Sequence, residues 1–134
     1  MPHVRTYYMG RAAQLLGVSV DTVRRWADAG SFPTRRDANG YRMVEGSDLA
    51  AFAVELATRD ATPESPQHSS ARNHFPGIVT RVVRGDVTAQ VEIQAGPHRV
   101  VSLLTCEAVD ALGLSEGTEA VAAVKSTNVT VELP

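Results

Sequence analysis

Ser69-Ser70-Ala71-Arg72-Asn73-His74-Phe75-Pro76-Gly77-Ile78-Val79 sets two hydroxyls and a guanidinium directly ahead of an alternating apolar run. Further along, Lys125-Ser126-Thr127 holds the only lysine of a chain whose other 12 basic residues are arginines. Guanidinium, ammonium, hydroxyl and backbone N–H groups are all donors, and the two cations form charge-assisted hydrogen bonds. A small tetrahedral oxyanion offers only acceptors at neutral pH, so it is the ligand such a set suits. Arg72 and Lys125 supply charge; Ser70, Ser126 and Thr105 supply hydroxyls. Backbone N–H groups near Ala71 and at a helix start after Thr105 complete the expected shell. No Ser/His/Asp, Cys/His or paired-carboxylate arrangement stands out, so an enzyme is not expected. Cys106 is alone, which excludes an intrachain disulfide and a thiolate cluster. The four histidines (3, 68, 74, 98) are scattered and read as solvated surface side chains rather than metal ligands.

The elements around these residues follow a period of two. Strands are expected at Gly77 to Arg84, Val87 to Ala95, His98 to Leu104, Glu119 to Lys125 and Asn128 to Leu133, with turns at Gly85-Asp86 and Gly96-Pro97. Thr105 is placed to cap a short helix, Cys106 to Leu112, that Gly113 ends. Five short strands and one helix suit a small OB-like barrel. Its core is marginal at this length, so self-association is expected. Phe75 is the only aromatic residue beyond position 69, and 61–134 carries five basic against eight acidic side chains. That argues against oligonucleotide binding by this half, which would need stacking platforms in a positive groove.

The first 60 residues change character. Ala12, Ala13, Leu15 and Leu16 recur at helical spacing up to Gly17, and Ser19 can cap a second helix from Val20 to Ala29 with Asp21 in its first turn. Helix, glycine turn and serine-capped helix form a helix-turn-helix pattern. Val20, Val23 and Trp26 face inward, leaving Thr22, Arg24 and Arg25 toward the outside. Phe32 to Val44 then places Asn39-Gly40 between two short strands bearing Arg35, Arg36 and Arg42, a basic hairpin suited to lie as a wing along a phosphate backbone. Ser47 is expected to cap a third helix, Asp48 to Arg59, closing the core with Leu49, Phe52, Ala53 and Leu56. Asp60 to Ser69, with two prolines and no apolar periodicity, reads as an extended tether.

Charge supports this division. Net charge is −2 over 134 residues, yet 1–42 carries seven arginines against three aspartates. A basic front on an acidic back points to double-stranded DNA as a partner of the front alone. No apolar run approaches a membrane span and no signal peptide opens the chain, so a soluble cytoplasmic protein is expected. The expected architecture is α+β in two domains: a winged helix-turn-helix at 1–60, a linker at 61–69 and the OB-like barrel at 70–134.

Two resemblances extend this reading. Residues 6–58 resemble the winged-helix domain of MerR-like and excisionase-like proteins through Gly10-Arg11-Ala12-Ala13, Leu16-Gly17-Val18-Ser19, Thr22-Val23-Arg24-Arg25-Trp26, Gly30 and Arg35 to Arg42. The resemblance implies DNA contacts from Arg11, Ser19, Thr22, Arg24, Arg25, Arg35, Arg36 and Arg42. The long dimerising coiled coil of true MerR activators is absent.

Residues 69–132 resemble the Mop or TOBE molbindins. The motifs are Ser70-Ala71-Arg72-Asn73 with Gly77-Ile78-Val79, Thr105 to Leu114, Glu116-Gly117 and Val124-Lys125-Ser126. This implies a molybdate or tungstate oxyanion held by Ser70, Ala71 (through its backbone), Arg72, Lys125 and Ser126 of one subunit and Thr105 of a neighbour, in a dimer or hexamer. Some relatives place a serine three residues after that threonine. Here Ala108 removes that donor, at a cost of roughly 1 kcal/mol. The donor set suits a small anion rather than a molybdopterin. Together the halves imply an anion-responsive transcription regulator. An oxyanion store, or a constitutive DNA-binding protein whose barrel only oligomerises, are the competing classes.

Overall fold

The computed structural model describes residues 5–59 and 69–134, which fall into two compact units. Most of the expected linker at 61–69 lies outside the described residues. Both helices and antiparallel sheets are present, so the chain is α+β.

The first unit begins with a strand not anticipated from the sequence, β1 (Thr6–Tyr8). It runs into α1 (Met9–Leu16), which Gly17 ends in the left-handed region at φ 72°. Ser19 caps α2 (Val20–Asp28), its hydroxyl oxygen accepting from the Thr22 N–H at 3.2 Å. β2 (Arg35–Arg36) and β3 (Arg42–Glu45) follow, and β3 pairs with both β1 and β2 in a three-stranded sheet. β1 escapes sequence reading because three residues are too few to show a period; its pairing with β3 defines it.

The last element of this unit is α3 (Gly46–Arg59). It starts one residue before Ser47, so Ser47 lies inside the first turn and is not the cap. β3 runs directly into the helix, and the Gly46 N–H is held by the Arg5 carbonyl at 2.7 Å. The core gathers Met9, Ala12, Ala13, Val23, Ala27, Phe32, Val44, Leu49 and Phe52. Trp26 and Phe32 pack on Phe52 with ring centroids 5.2 and 5.0 Å away.

The second unit is a four-stranded antiparallel sheet ordered β6-β5-β4-β7. Its strands are β4 (Asn73–Arg84), β5 (Thr88–Ala95), β6 (His98–Thr105) and β7 (Glu119–Val124), with α4 (Cys106–Leu112) between the last two. Val79, Ala89, Val91, Ile93 and Ala122 form the core with Val109 of α4. Arg84 grips Asp110 through both guanidinium nitrogens, at 2.9 and 3.1 Å, and ties β4 to that helix. A Cβ on Gly77 would collide with the Gln94 carbonyl, so β4 and β5 approach this closely only at a glycine. The β4–β5 register shifts between Val79 and Arg81. Opposite that bulge, the loop before β7 bonds to both the N–H and the carbonyl of Val79.

The expected fifth strand, Asn128 to Leu133, is not formed. A 3-10 turn (Ser126–Asn128) follows β7, and residues 129–134 form no paired strand, although Val129 itself is extended at φ −91° and ψ 122°. Their alternation is that of a strand, but pairing needs a free backbone edge at the right place, and no strand among the described residues supplies one. The expected barrel is accordingly a four-stranded sheet with one helix and a trailing segment.

Candidate functional site

The β4–β7 ladder positions the cations. Asn73 is the register partner of Val124, and its side-chain amide donates to the Val124 carbonyl at 3.1 Å. Arg72 and Lys125, the next residues outward, therefore leave the same end of the sheet from adjacent strands, with Ser70-Ala71 and Ser126 beside them. Ala71 is buried, and its N–H is held by the Ser69 hydroxyl at 3.1 Å. Arg72 is exposed, reaching the Ser69 carbonyl at 3.4 Å, and Lys125 and Ser126 are exposed as well. Neither cation has a carboxylate within ion-pair distance among the described residues. Two cations that leave adjacent strands at one end of the sheet, with hydroxyls beside them and no carboxylate paired to either, make this end the candidate anion site.

Thr105 stands elsewhere. It ends β6 opposite Thr88, at the end of the sheet where β4 finishes. The 12 residues of β4 separate it from Arg72, roughly 35 Å along the strand. Within one chain, then, five of the six expected anion residues cluster and the sixth does not. The Thr105 hydroxyl oxygen caps α4 by accepting from the Ala108 N–H at 3.0 Å, leaving its own proton free to donate.

His74 departs from the surface reading. Its Nε2 lies 2.9 Å from the Ala71 carbonyl, while Nδ1 is buried without a partner. The ring braces the segment that carries Ser70 and Arg72. Its position in β4, facing back onto that segment, is visible only in three dimensions. His98 is exposed; His3 and His68 lie outside the described residues.

In the first unit an open cleft of about 730 Å³ runs between α2, the start of α1 and the tip of the hairpin. Arg24, Arg36, Arg42, Tyr8 and Tyr41 line it. Arg36 donates to the Gly40 carbonyl at 2.8 Å and stays exposed, and Arg24 is 3.9 Å from Asp21. Arg42 is held by Asp28 at 2.6 Å and joins the hairpin to α2. Arg35 faces Glu45 at 3.6 Å; Arg11 donates to Gln14 at 2.9 Å, away from the cleft lining. Arg25 is exposed in the last turn of α2, while Ser19 and Thr22 share a hydroxyl hydrogen bond of 2.8 Å at its start.

Sequence reasoning missed Asp37, Tyr8 and Tyr41. Asp37 Oδ1 accepts from the N–H groups of Asn39 and Tyr41, both at 2.9 Å, and Oδ2 accepts the Tyr8 hydroxyl at 2.9 Å. Gly40 takes φ 84° and donates to the Asp37 carbonyl at 3.0 Å, closing a tight turn that ends on a left-handed residue. An aspartate two residues before Asn-Gly was the available signal for this turn. Tyr8 ionises above the usual phenol range because it donates to Asp37. Burial pushes the Asp37 carboxyl up, but the Tyr41 N–H, the Tyr8 hydroxyl and the Asn39 and Gly40 N–H groups outweigh it and hold the carboxyl below 3.8.

The fold and these sites define an α+β binding protein: a basic helical unit with a hairpin, and a β unit with a paired-cation, hydroxyl-lined end. The MerR family regulatory protein model matches residues 8–43, and the TOBE domain model matches residues 69–131. Molybdenum-pterin-binding protein 3 of Clostridium pasteurianum is 43% identical over 63 residues, covering 46% of this chain and 93% of that protein. The molybdenum transport protein ModE of Herbaspirillum seropedicae is 39% identical over 62 residues, 46% of this chain and 23% of its own length. A structure of the cytoplasmic molybdate-binding protein ModG with molybdate bound is 36% identical, covering 52% of this chain and 50% of that one, at a TM-score of 0.49. The chain belongs to the TOBE-domain family and carries a MerR-family regulatory domain ahead of its TOBE domain.

Among the described residues no group of His, Cys, Asp and Glu could hold a metal ion, and no helix is long and apolar enough to cross a membrane.

Proposed function

We propose that the chain is a molybdate- or tungstate-responsive DNA-binding transcription regulator, and not an enzyme. The observation that carries this is the Asn73–Val124 pairing, which brings Arg72 and Lys125 to one end of the sheet with Ser70, Ala71 and Ser126. That donor set fits a tetrahedral dianion. The relatives named for molybdenum binding or transport, matched over the same residues, support molybdate as the anion. Thr105 comes from a second copy, so the anion sits between subunits of a homo-oligomer.

Residues 1–60 act as a winged helix-turn-helix joined by the linker at 61–69 to the anion-binding domain at 70–134. α2 presents Arg24 and Arg25 to the major groove, and the hairpin lays Arg35 and Arg36 along the backbone. Anion binding shifts DNA affinity only through a difference in affinity for two arrangements of the paired DNA-binding units. The site of action is the cytoplasm.

The test has two arms. Calorimetric titration with molybdate, with sulfate and phosphate as controls, is expected to give selective binding that Lys125→Ala abolishes. Duplexes selected by the protein from a random pool are then tested for binding with and without molybdate. Identical affinities would leave an oxyanion store or a constitutive DNA-binding protein as the function. Silence in the calorimeter would overturn the anion site itself.

A further inference from the structure

Of the proposed donors that cluster at the Arg72–Lys125 end, two are engaged inside the chain, and by one residue. The Ala71 N–H donates to the Ser69 hydroxyl oxygen at 3.1 Å, and the Arg72 guanidinium donates to the Ser69 carbonyl at 3.4 Å. Ser70, Lys125 and Ser126 are exposed, and their side chains make no hydrogen bond or ion pair among the described residues. Ser69 itself is half-buried and is the last residue of the expected linker.

The Ala71 contact bears directly on a ligand. A backbone amide carries a single proton, so it cannot serve the Ser69 oxygen and an anion oxygen at full strength together. Ala71 is buried, and a buried N–H left without an acceptor is costly, so Ser69 supplies what this amide needs. From the other side, the His74 Nε2–H donates to the Ala71 carbonyl at 2.9 Å. That bond uses none of the proposed donors, and it holds Ala71 in place while the N–H changes its acceptor.

We infer that Ser69 is an internal competitor of the oxyanion: its hydroxyl holds the Ala71 N–H until an anion oxygen displaces it, and so sets the anion concentration at which the site fills. Arg72 contributes less to this competition. Its 3.4 Å bond to a neutral carbonyl is weak beside the charge-assisted bond that a dianion offers. The displacement cost is the same whichever tetrahedral anion arrives. Ser69 therefore shifts the affinity for molybdate and tungstate alike and leaves the preference between them to the other donors.

This inference rests on the proposed oxyanion site and concerns how that site is regulated. Ser69→Ala in the full chain removes the competing oxygen. One displaced hydrogen bond corresponds to about three- to tenfold in Kd. Calorimetry is expected to show Ser69→Ala binding both molybdate and tungstate more tightly by that factor, with the ratio of the two Kd values unchanged. Ser69→Thr keeps the hydroxyl and is expected to bind as the parent chain does. Melting curves recorded without anion give the contrasting readout, since Ser69→Ala is expected to melt no higher than the parent. A hydroxyl that only shaped the turn would instead move stability and anion affinity down together. Binding by Ser69→Ala equal to or weaker than that of the parent overturns the inference and leaves the anion site standing. A gain shared by Ser69→Thr, or confined to one of the two anions, overturns it as well. Heat from neither the parent nor Ser69→Ala overturns the oxyanion reading itself.

Discussion

The side-chain amide of Asn73 donates to the backbone carbonyl of Val124, across two strands whose ladder ends at that pair. This bond fixes the spacing of the next two residues outward, Arg72 and Lys125. Replacing Asn73 by alanine removes one hydrogen bond, about 1 kcal/mol, and loosens the cation pair rather than deleting it. A several-fold rise in the molybdate Kd is expected from calorimetry, well short of the loss expected for Lys125→Ala.

Gly77 is tested through stability. An alanine Cβ there would run into the Gln94 carbonyl and come within 2.9 Å of Ile93 Cγ2, and neither is the end of a flexible chain. Gly77→Ala should therefore cost on the order of 2–3 kcal/mol, as overpacking does, and lower the melting temperature of the unit by about 10 °C or more. Differential scanning calorimetry measures it. An unchanged melting temperature would show that β4 and β5 do not approach as closely as described.

For the basic unit, Arg24 and Arg36 line one cleft and neither is tightly held by a carboxylate. Each phosphate contact contributes about 0.9 to the slope of log K against log salt. Arg24→Ala and Arg36→Ala should each reduce that slope by about one and weaken binding across all duplex sequences. Arg42→Ala should act instead by loosening the hairpin, since Asp28 already engages that guanidinium. Fluorescence anisotropy at several salt concentrations separates these effects.

Acid stability follows from three carboxylates. Arg99 bonds to the Glu92 carboxyl and holds it below 4.5 against the opposing effect of burial, and Arg84 likewise holds Asp110 below 3.8. Asp37 is lowered by its backbone and Tyr8 donors. A carboxylate depressed in the folded state adds stability that is full above its unfolded value and is lost as pH falls through the folded one. Thermal melts should thus be flat near neutrality and fall from about pH 5 downward. Glu92→Gln in the β unit, and Asp37→Asn in the helical unit, should each flatten that acid limb.

The sequence by itself determined much of the local structure. Ser19 and Thr105 cap the helices they were expected to cap, and Gly17 and Gly113 take the left-handed conformation at the helix ends. The helical period of 9–28 and the alternation of 77–104 gave their elements. These features are local: a cap needs a hydroxyl a few residues from an N–H, and a period needs only its own face. The donors around Ser70, Arg72 and Lys125 were also legible, because charge and hydroxyl content are properties of residue type.

Pairing and register belonged to the tertiary structure. β1 is a strand only because β3 lies beside it, and 129–133 is not one because no strand among the described residues pairs with it. The turn held by Asp37 depends on Tyr8, 29 residues away. His74 turns its ring onto Ala71, where composition suggested only a surface histidine. Above all, the ladder decided that Lys125 stands beside Arg72 while Thr105 does not. Sequence spacing contains no term for which strand edges meet; long-range hydrogen bonding and apolar burial set that, and with it which donors can share one ligand.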